Sequence, residues 1–252
     1  IELAIETLDE VPDFIPIEIL EKLALPTLKE ALINIHAPES LSAADKAKER
    51  LTFDEALLLQ LLLAQRRAEI AELTATPREI STDGLVAKFE SRLPFKYTDG
   101  QREVNAEIES DMKKSHPMHR LLQGEVGSGK TIVALRAALN VIDAKAQVAL
   151  LAPTEVLAQQ HHRTIAKQLG DLASKGKLGA PDCAIEIALL TGSMGASEKR
   201  EIQARIKNGE IDLVVGTHAL LSEAVGFRDL GLVIVDEQHR FGVEQRDALR
   251  AK

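Results

Sequence analysis

The sequence predicts an α/β domain with a parallel sheet flanked by helices, preceded by a smaller all-helical segment. Three observations carry that prediction. Short aliphatic runs recur from Leu121 onward, in RLLQG, QVALLAPT, IEIALLTG, IDLVVGTHAL and LGLVIVDE. Each is followed by polar or glycine-containing residues and most then lead into a helical pattern, the alternation that builds parallel sheets. Residues 1–93 carry no such alternation and read as helix. The chain of 252 residues is long enough for one large or two modest domains.

The helical signals come first in the chain. Thr27-Leu28-Lys29-Glu30 has the Thr-x-x-Glu spacing of a capping box, with apolar residues following at Leu28, Ala31, Leu32 and Ile35. A second such spacing, Thr52 to Glu55, is expected to open a helix reaching about Leu73. That helix is leucine-rich on nearly every side near its start, which predicts burial against other parts of the protein. Residues 74–93, with Pro77 and Gly84, are expected to be a linker. The predicted division is therefore a helical connector over 1–93, ending in that linker, and an α/β domain over 94–252.

Composition narrows the function classes. A single cysteine, Cys183, excludes an internal disulfide framework and suits a reducing cytoplasm. The longest apolar run, Ala56 to Ala64, falls short of the roughly 20 residues that a membrane-spanning helix needs. No secretory or transit pattern stands at the start. The first residue is Ile1, from which a fragment or processed product is expected. The net charge of −8 provides no global basic field, so any nucleic-acid contact must come from a local surface.

Chemistry enters at Gly124–Thr131, GEVGSGKT, directly after the first aliphatic run and before the helical IVALRAALNVI. It fits G-x-x-x-x-G-K-[ST] at every fixed position. Gly124, Gly127 and Gly129, with Ser128 between them, let backbone N–H groups turn inward on phosphate oxygens at a helix N-terminus. Lys130 is expected to reach the β/γ-phosphates and the Thr131 hydroxyl to ligate Mg²⁺.

The last run, LGLVIVDEQHRFG, ends in two adjacent acids. Either they stand in water and cap a following helix, or they hold a metal ion and a water. The phosphate loop favours the second reading, because such a loop needs an acidic site on a neighbouring strand for its magnesium. Asp236 is then the Mg²⁺ acid and Glu237 the residue that orients and deprotonates the attacking water. ATP and Mg²⁺ are the expected cofactors. His161-His162 is discounted as a metal site for want of a second cluster and is placed on the helix after APTEV. Residues 170–182 read as a surface loop whose Lys175 and Lys177 are not expected to touch nucleic acid.

With these residues in view, DEQH resembles the DExH box of superfamily 2 helicases and translocases. The string GEVGSGKT … APTEVLAQQH … TGS … GTHAL … DEQHRFGVEQR resembles the first motor lobe of the RecG family of branch-migrating DNA helicases. The likeness covers residues 93–252 and extends upstream to LPTLKEALINIHAPES and RLTFDEALLLQLLLAQRR, which look like that family's helical connector. A neighbouring family, the transcription-repair coupling factors, shares GTHxLL and HRFG but usually carries DEEH in the box.

The resemblance implies a RecA-like P-loop lobe in an ATP-driven helicase or translocase. That enzyme would remodel branched double-stranded DNA, such as Holliday junctions and stalled forks, in the bacterial cytoplasm near the nucleoid. It also implies roles for residues that spacing alone leaves open. Gln101 and Phe95, in LPFKYTDGQ, would read and pack against adenine; a solvated helix start is the alternative for Gln101. Gln238 and His239 would couple nucleotide state to DNA, where a strand-end histidine is the alternative for His239. Pro153 and Thr154, Thr191 and Gly192, and Thr217 and His218 would contact DNA. Such turns bind phosphates without reading bases.

A second RecA-like lobe and an N-terminal wedge domain would be missing partners, so the chain alone is expected to hydrolyse ATP slowly. From another class, a nucleotide-gated binding module would use the same loop without movement.

Overall fold

The structure is a computed structural model and describes residues 12–79 and 81–237. The chain forms two compact units, Ile1–Leu73 and Thr74–Lys252.

In the first unit, α1 (Ile17–Leu23), α2 (Leu28–His36) and α3 (Leu41–Glu72) follow one another. The expected capping box at Thr27 is present: its Oγ1 accepts from the Glu30 amide, and its own amide donates to the Glu30 carboxylate at 2.9 Å. The second box is not a helix start. Thr52 lies inside α3, whose N-cap is Ser40, because no Gly or Pro interrupts residues 41–72. The leucines of that helix are also not buried within the unit. Leu58 is 62% exposed and Leu59 and Leu61 are each 56% exposed. The geometry explains this: α3 has 32 residues and packs on α2, which has only 9. At about 1.5 Å per residue, most of α3 extends past its neighbour.

The polar centre of this unit is Arg50, fully buried. Its guanidinium donates to both carboxylate oxygens of Asp13 at 3.0 and 2.7 Å, to Asp54 at 2.8 Å and to the Pro26 carbonyl at 2.7 Å. Phe14 lies with its ring centroid 5.8 Å from the guanidinium carbon.

The second unit contains α4 (Leu85–Glu90), α5 (Asp99–Met112), α6 (Lys130–Asp143), β1 (Gln147–Leu151), α7 (Glu155–Leu169), β2 (Ile187–Leu190), α8 (Ala196–Lys207), β3 (Leu213–Gly216) and β4 (Leu230–Val235). The strands form one parallel sheet in the order β2-β3-β1-β4. Side chains alternate between its faces as a pleated strand requires. Val148, Leu150, Leu213 and Val215 join the core beneath α4, α5, α6 and α7, while Ala149, Leu151, Val214 and Ile206 of α8 form the core on the other side.

Two expectations change here. Residues 74–93 do not form a linker: Leu85, Val86 and Phe89 are buried in the main core, and the Leu85 amide donates to Asp143 at 2.7 Å. Arg136 of α6 pairs with Glu90 and Glu109, fastening α4 and α5 to it. The first aliphatic run, RLLQG, forms no strand. Leu121 is 65% exposed, and Arg120 is drawn to Asp111 and Glu107 of α5. With only two aliphatic side chains, this run places just one of them, Leu122, against the core.

Direction along the sheet fixes the position of everything that follows. Gly231, near the start of β4, lies so close to Val141 near the end of α6 that an added Cβ would sit 2.6 Å from its Cγ1. Helix α6 therefore runs against the strands. Its 14 residues span about 21 Å and the six of β4 about 20 Å, so its first turn is level with the carboxyl edge of the sheet.

At that edge Gly216 ends β3 where a Cβ would stand 2.3 Å from the Leu190 carbonyl oxygen. Gly216→Ala is expected to splay the ends of β2 and β3 and cost about 1–3 kcal/mol, the usual penalty of overpacking. Thermal unfolding followed by circular dichroism measures it; an unchanged midpoint would show that the edge tolerates the methyl.

Candidate active site

Because all four strands are parallel, the residues after each one emerge at one edge, where ligands of open α/β sheets bind. In spatial order these are Thr191–Ser193, Gly216–His218, Pro153–Glu155 and Asp236–Glu237. The phosphate loop joins the same edge from α6.

The loop is shaped for an anion. Gly127 and Gly129 have φ of 85° and 84°, a left-handed region that glycine reaches without steric cost. Gly129 is the N-cap of α6 and no side chain caps that helix. The Ile132 amide donates to the Gly129 carbonyl at 3.1 Å, so among the described residues the Lys130 and Thr131 amides and the positive dipole end remain for a ligand. Lys130 folds over the loop, donating from Nζ to the carbonyls of Gly124 at 2.7 Å and Glu125 at 2.9 Å. Thr131 follows, half-buried, one position into the helix.

Gln101 is fixed on this loop. Its side-chain oxygen accepts from the Thr98 amide at 3.0 Å, completing a capping box for α5, and its Nε2 donates to the Ser128 carbonyl at 2.8 Å. Phe95 is 51% exposed and lines a hollow with Glu90, Leu93, Lys96, Tyr97 and Arg102. Burial there pushes the Tyr97 hydroxyl up to about 12.

Asp236 is held at two points. Its amide donates to the Leu151 carbonyl of β1 at 2.9 Å, and its Oδ2 lies 2.8 Å from Nε2 of His161. Glu237, exposed, has a left-handed φ of 51°, so the chain turns sharply as it leaves β4. Gln238 and His239 lie outside the described residues. Among the described residues no group of three or more His, Cys, Asp and Glu could hold a metal ion by itself.

The remaining turns differ in exposure. Thr154, Gly192 and His218 are exposed and Pro153 is half-buried, whereas Thr191 and Thr217 are only 1% and 7% exposed. These two threonines close strands beneath the covering elements, so they shape their turns instead of presenting themselves to solvent. Thr154 caps α7 by accepting from the Leu157 amide at 3.3 Å.

Glu155 spans the edge to Ser193, accepting from its amide at 2.8 Å and from its hydroxyl. Those hydrogen bonds, the hydroxyl first, hold the Glu155 carboxyl below its ordinary range. Lys175 is engaged elsewhere, with Asp212 at 2.7 Å before β3, at the opposite edge of the sheet.

Sequence reasoning missed two of these connections. One signal was available for His161: it lies three residues after Ala158 and four before Ile165, both buried, and so on the sheet-facing side of α7. Nothing in the spacing points from Glu155 to Ser193.

The DEAD/DEAH box helicase family model matches residues 98–252. The ATP-dependent DNA helicase RecG of Mycobacterium bovis is 53% identical over 249 residues, covering 98% of this chain and 34% of that protein. The RecG of Thermotoga maritima is 43% identical over 238 residues, covering 94% of this chain and 29% of that protein. This chain thus spans about a third of the length of such relatives. A solved structure of RecG bound to a three-way DNA junction superposes with a TM-score of 0.78 at 42% identity, covering 92% of this chain and 30% of that one.

Proposed function

For a chain that belongs to the DEAD/DEAH box helicase family, we propose the role of nucleotide-binding lobe in an ATP-driven DNA helicase that remodels branched DNA. The observation that carries this reading is the convergence of the uncapped phosphate loop and the Asp236–Glu237 pair on one edge of a parallel sheet. The likeness to RecG, one structure of which holds a three-way junction, supports branched DNA as the substrate.

In this reading the main-chain amides of Gly124, Gly127, Ser128 and Gly129 cradle the phosphates. Lys130 exchanges its two carbonyl partners for β/γ-phosphate oxygens. Thr131 and Asp236 hold Mg²⁺, which when bound neutralises charge on the phosphates. Glu237 orients the attacking water and takes its proton, while Gln101 and Phe95 flank the base. Pro153, Thr154, Gly192 and His218 form the DNA-facing rim, shaped from beneath by Thr191 and Thr217. Gln238 and His239 relay nucleotide state to that rim.

The natural full-length polypeptide is expected to unwind a synthetic three-way junction only with ATP and Mg²⁺, and Glu237→Gln is expected to stop it while nucleotide still binds. Unwinding by the Glu237→Gln protein at the original rate would remove Glu237 from this role. Failure of the unaltered polypeptide to unwind any branched duplex would remove the function.

A further inference from the structure

The pair formed by His161 and Asp236 joins a helix that carries no part of the phosphate loop to an acid placed for the cation. His161 is 18% exposed and its Nε2 stands 2.8 Å from Oδ2, with the Asp236 side chain 37% exposed. Among the described residues the other carboxylate oxygen, Oδ1, has no hydrogen-bond partner. The backbone of the same aspartate is fixed to Leu151, the last residue of β1, and α7 begins four residues beyond it at Glu155. One strand-turn-helix unit thus grips Asp236 by amide and by side chain. Carboxylates that meet a metal are commonly oriented by such a partner, whose loss costs affinity although it never touches the ion.

We propose that His161 is a positioning residue: its Nε2–H donates to Asp236 Oδ2 and aims Oδ1 at the nucleotide's divalent cation. This rests on the nucleotide reading of the site. It also accounts for a histidine at a sheet-facing position of α7 that binds no metal itself. The required tautomer carries its proton on Nε2, leaving Nδ1 unprotonated. A glutamine can mimic that donor because its Nε2 reaches a similar distance, whereas leucine fills similar volume and donates nothing.

Two measurements on the purified chain test the proposal. In nitrogen-15 histidine spectra without nucleotide, His161 is expected to show a hydrogen-bonded Nε2–H that Asp236→Ala removes. Its absence in the unaltered chain overturns the pairing whatever the nucleotide does. In the second, binding of a fluorescent ADP is titrated with Mg²⁺. His161→Leu is expected to raise the Mg²⁺ midpoint about tenfold, at the low end for an outer-shell partner because phosphate supplies much of the coordination. His161→Gln should restore it, with metal-free nucleotide affinity and thermal midpoint unchanged in both. An unshifted Mg²⁺ midpoint in His161→Leu overturns the positioning role, as does a shift that His161→Gln fails to reverse. If the unaltered chain shows no Mg²⁺-dependent nucleotide binding, the nucleotide reading itself falls and the proposal with it, even where the spectra show the pair.

Discussion

Lys130→Ala is expected to lower ATP turnover by about 10²–10³-fold while leaving the fold intact. A preorganised donor aimed at developing charge is worth that much in rate, and the other charge in the loop, Glu125, is an acid that cannot replace it. The fold should survive because the ammonium makes its contacts with two loop carbonyls at the surface, those of Gly124 and Glu125, and not with the core. Surface substitutions of this kind usually stay within about 0.5 kcal/mol. Turnover is measured by phosphate release from the full-length polypeptide with DNA present, and stability by thermal unfolding of the same preparation. Turnover near the unaltered rate would remove Lys130 from the phosphate site. A collapsed unfolding transition would show that the side chain supports the loop instead of the ligand.

What the sequence disclosed, and what it hid, divides along a physical line. The alternation of aliphatic runs and helices is local, and it yielded four of the five expected strands and the parallel sheet. The phosphate-loop pattern was plain because it demands particular residue types at short spacing, whereas the two acids stayed open between a solvated cap and a metal site until read beside that loop. The misread segments depended on long-range packing. Residues 74–93 look unpatterned, yet Leu85, Val86 and Phe89 find their partners some fifty residues onward in α6, as the bond from Leu85 to Asp143 shows. The leucines of α3 suggest burial, but burial also requires a neighbour long enough to cover them, and α2 is not. His161 and Glu155 failed for a related reason: each reaches a residue more than thirty positions away, a pairing that the sheet topology creates and linear spacing cannot display.

The first unit makes the strongest expectation about stability. Arg50 is 0% exposed and its guanidinium is shared among Asp13, Asp54 and the Pro26 carbonyl, tying the start of the unit and the turn before α2 to α3. Arg50→Met keeps much of the volume but strands two carboxylates that are 21% and 12% exposed. Breaking such a buried pair from one side costs about 3–5 kcal/mol, enough to unfold a small helical unit. The hydrogen bond from Arg50, ahead of every other cause, lowers the Asp13 carboxyl from 3.8 to about 2. A carboxyl whose folded value is depressed contributes stability above its unfolded value and loses it as pH falls through the folded one. The unit should therefore weaken between about pH 4 and pH 2. Asp13→Asn added to Arg50→Met removes one stranded charge, so the double variant should recover part of the loss. Far-ultraviolet circular dichroism against temperature at several pH values, with limited proteolysis to locate the unfolded unit, reads both effects. If Arg50→Met melts with the unaltered chain at neutral pH, the network contributes geometry without net stability, and the acid weakening attributed to Asp13 must come from other carboxyls.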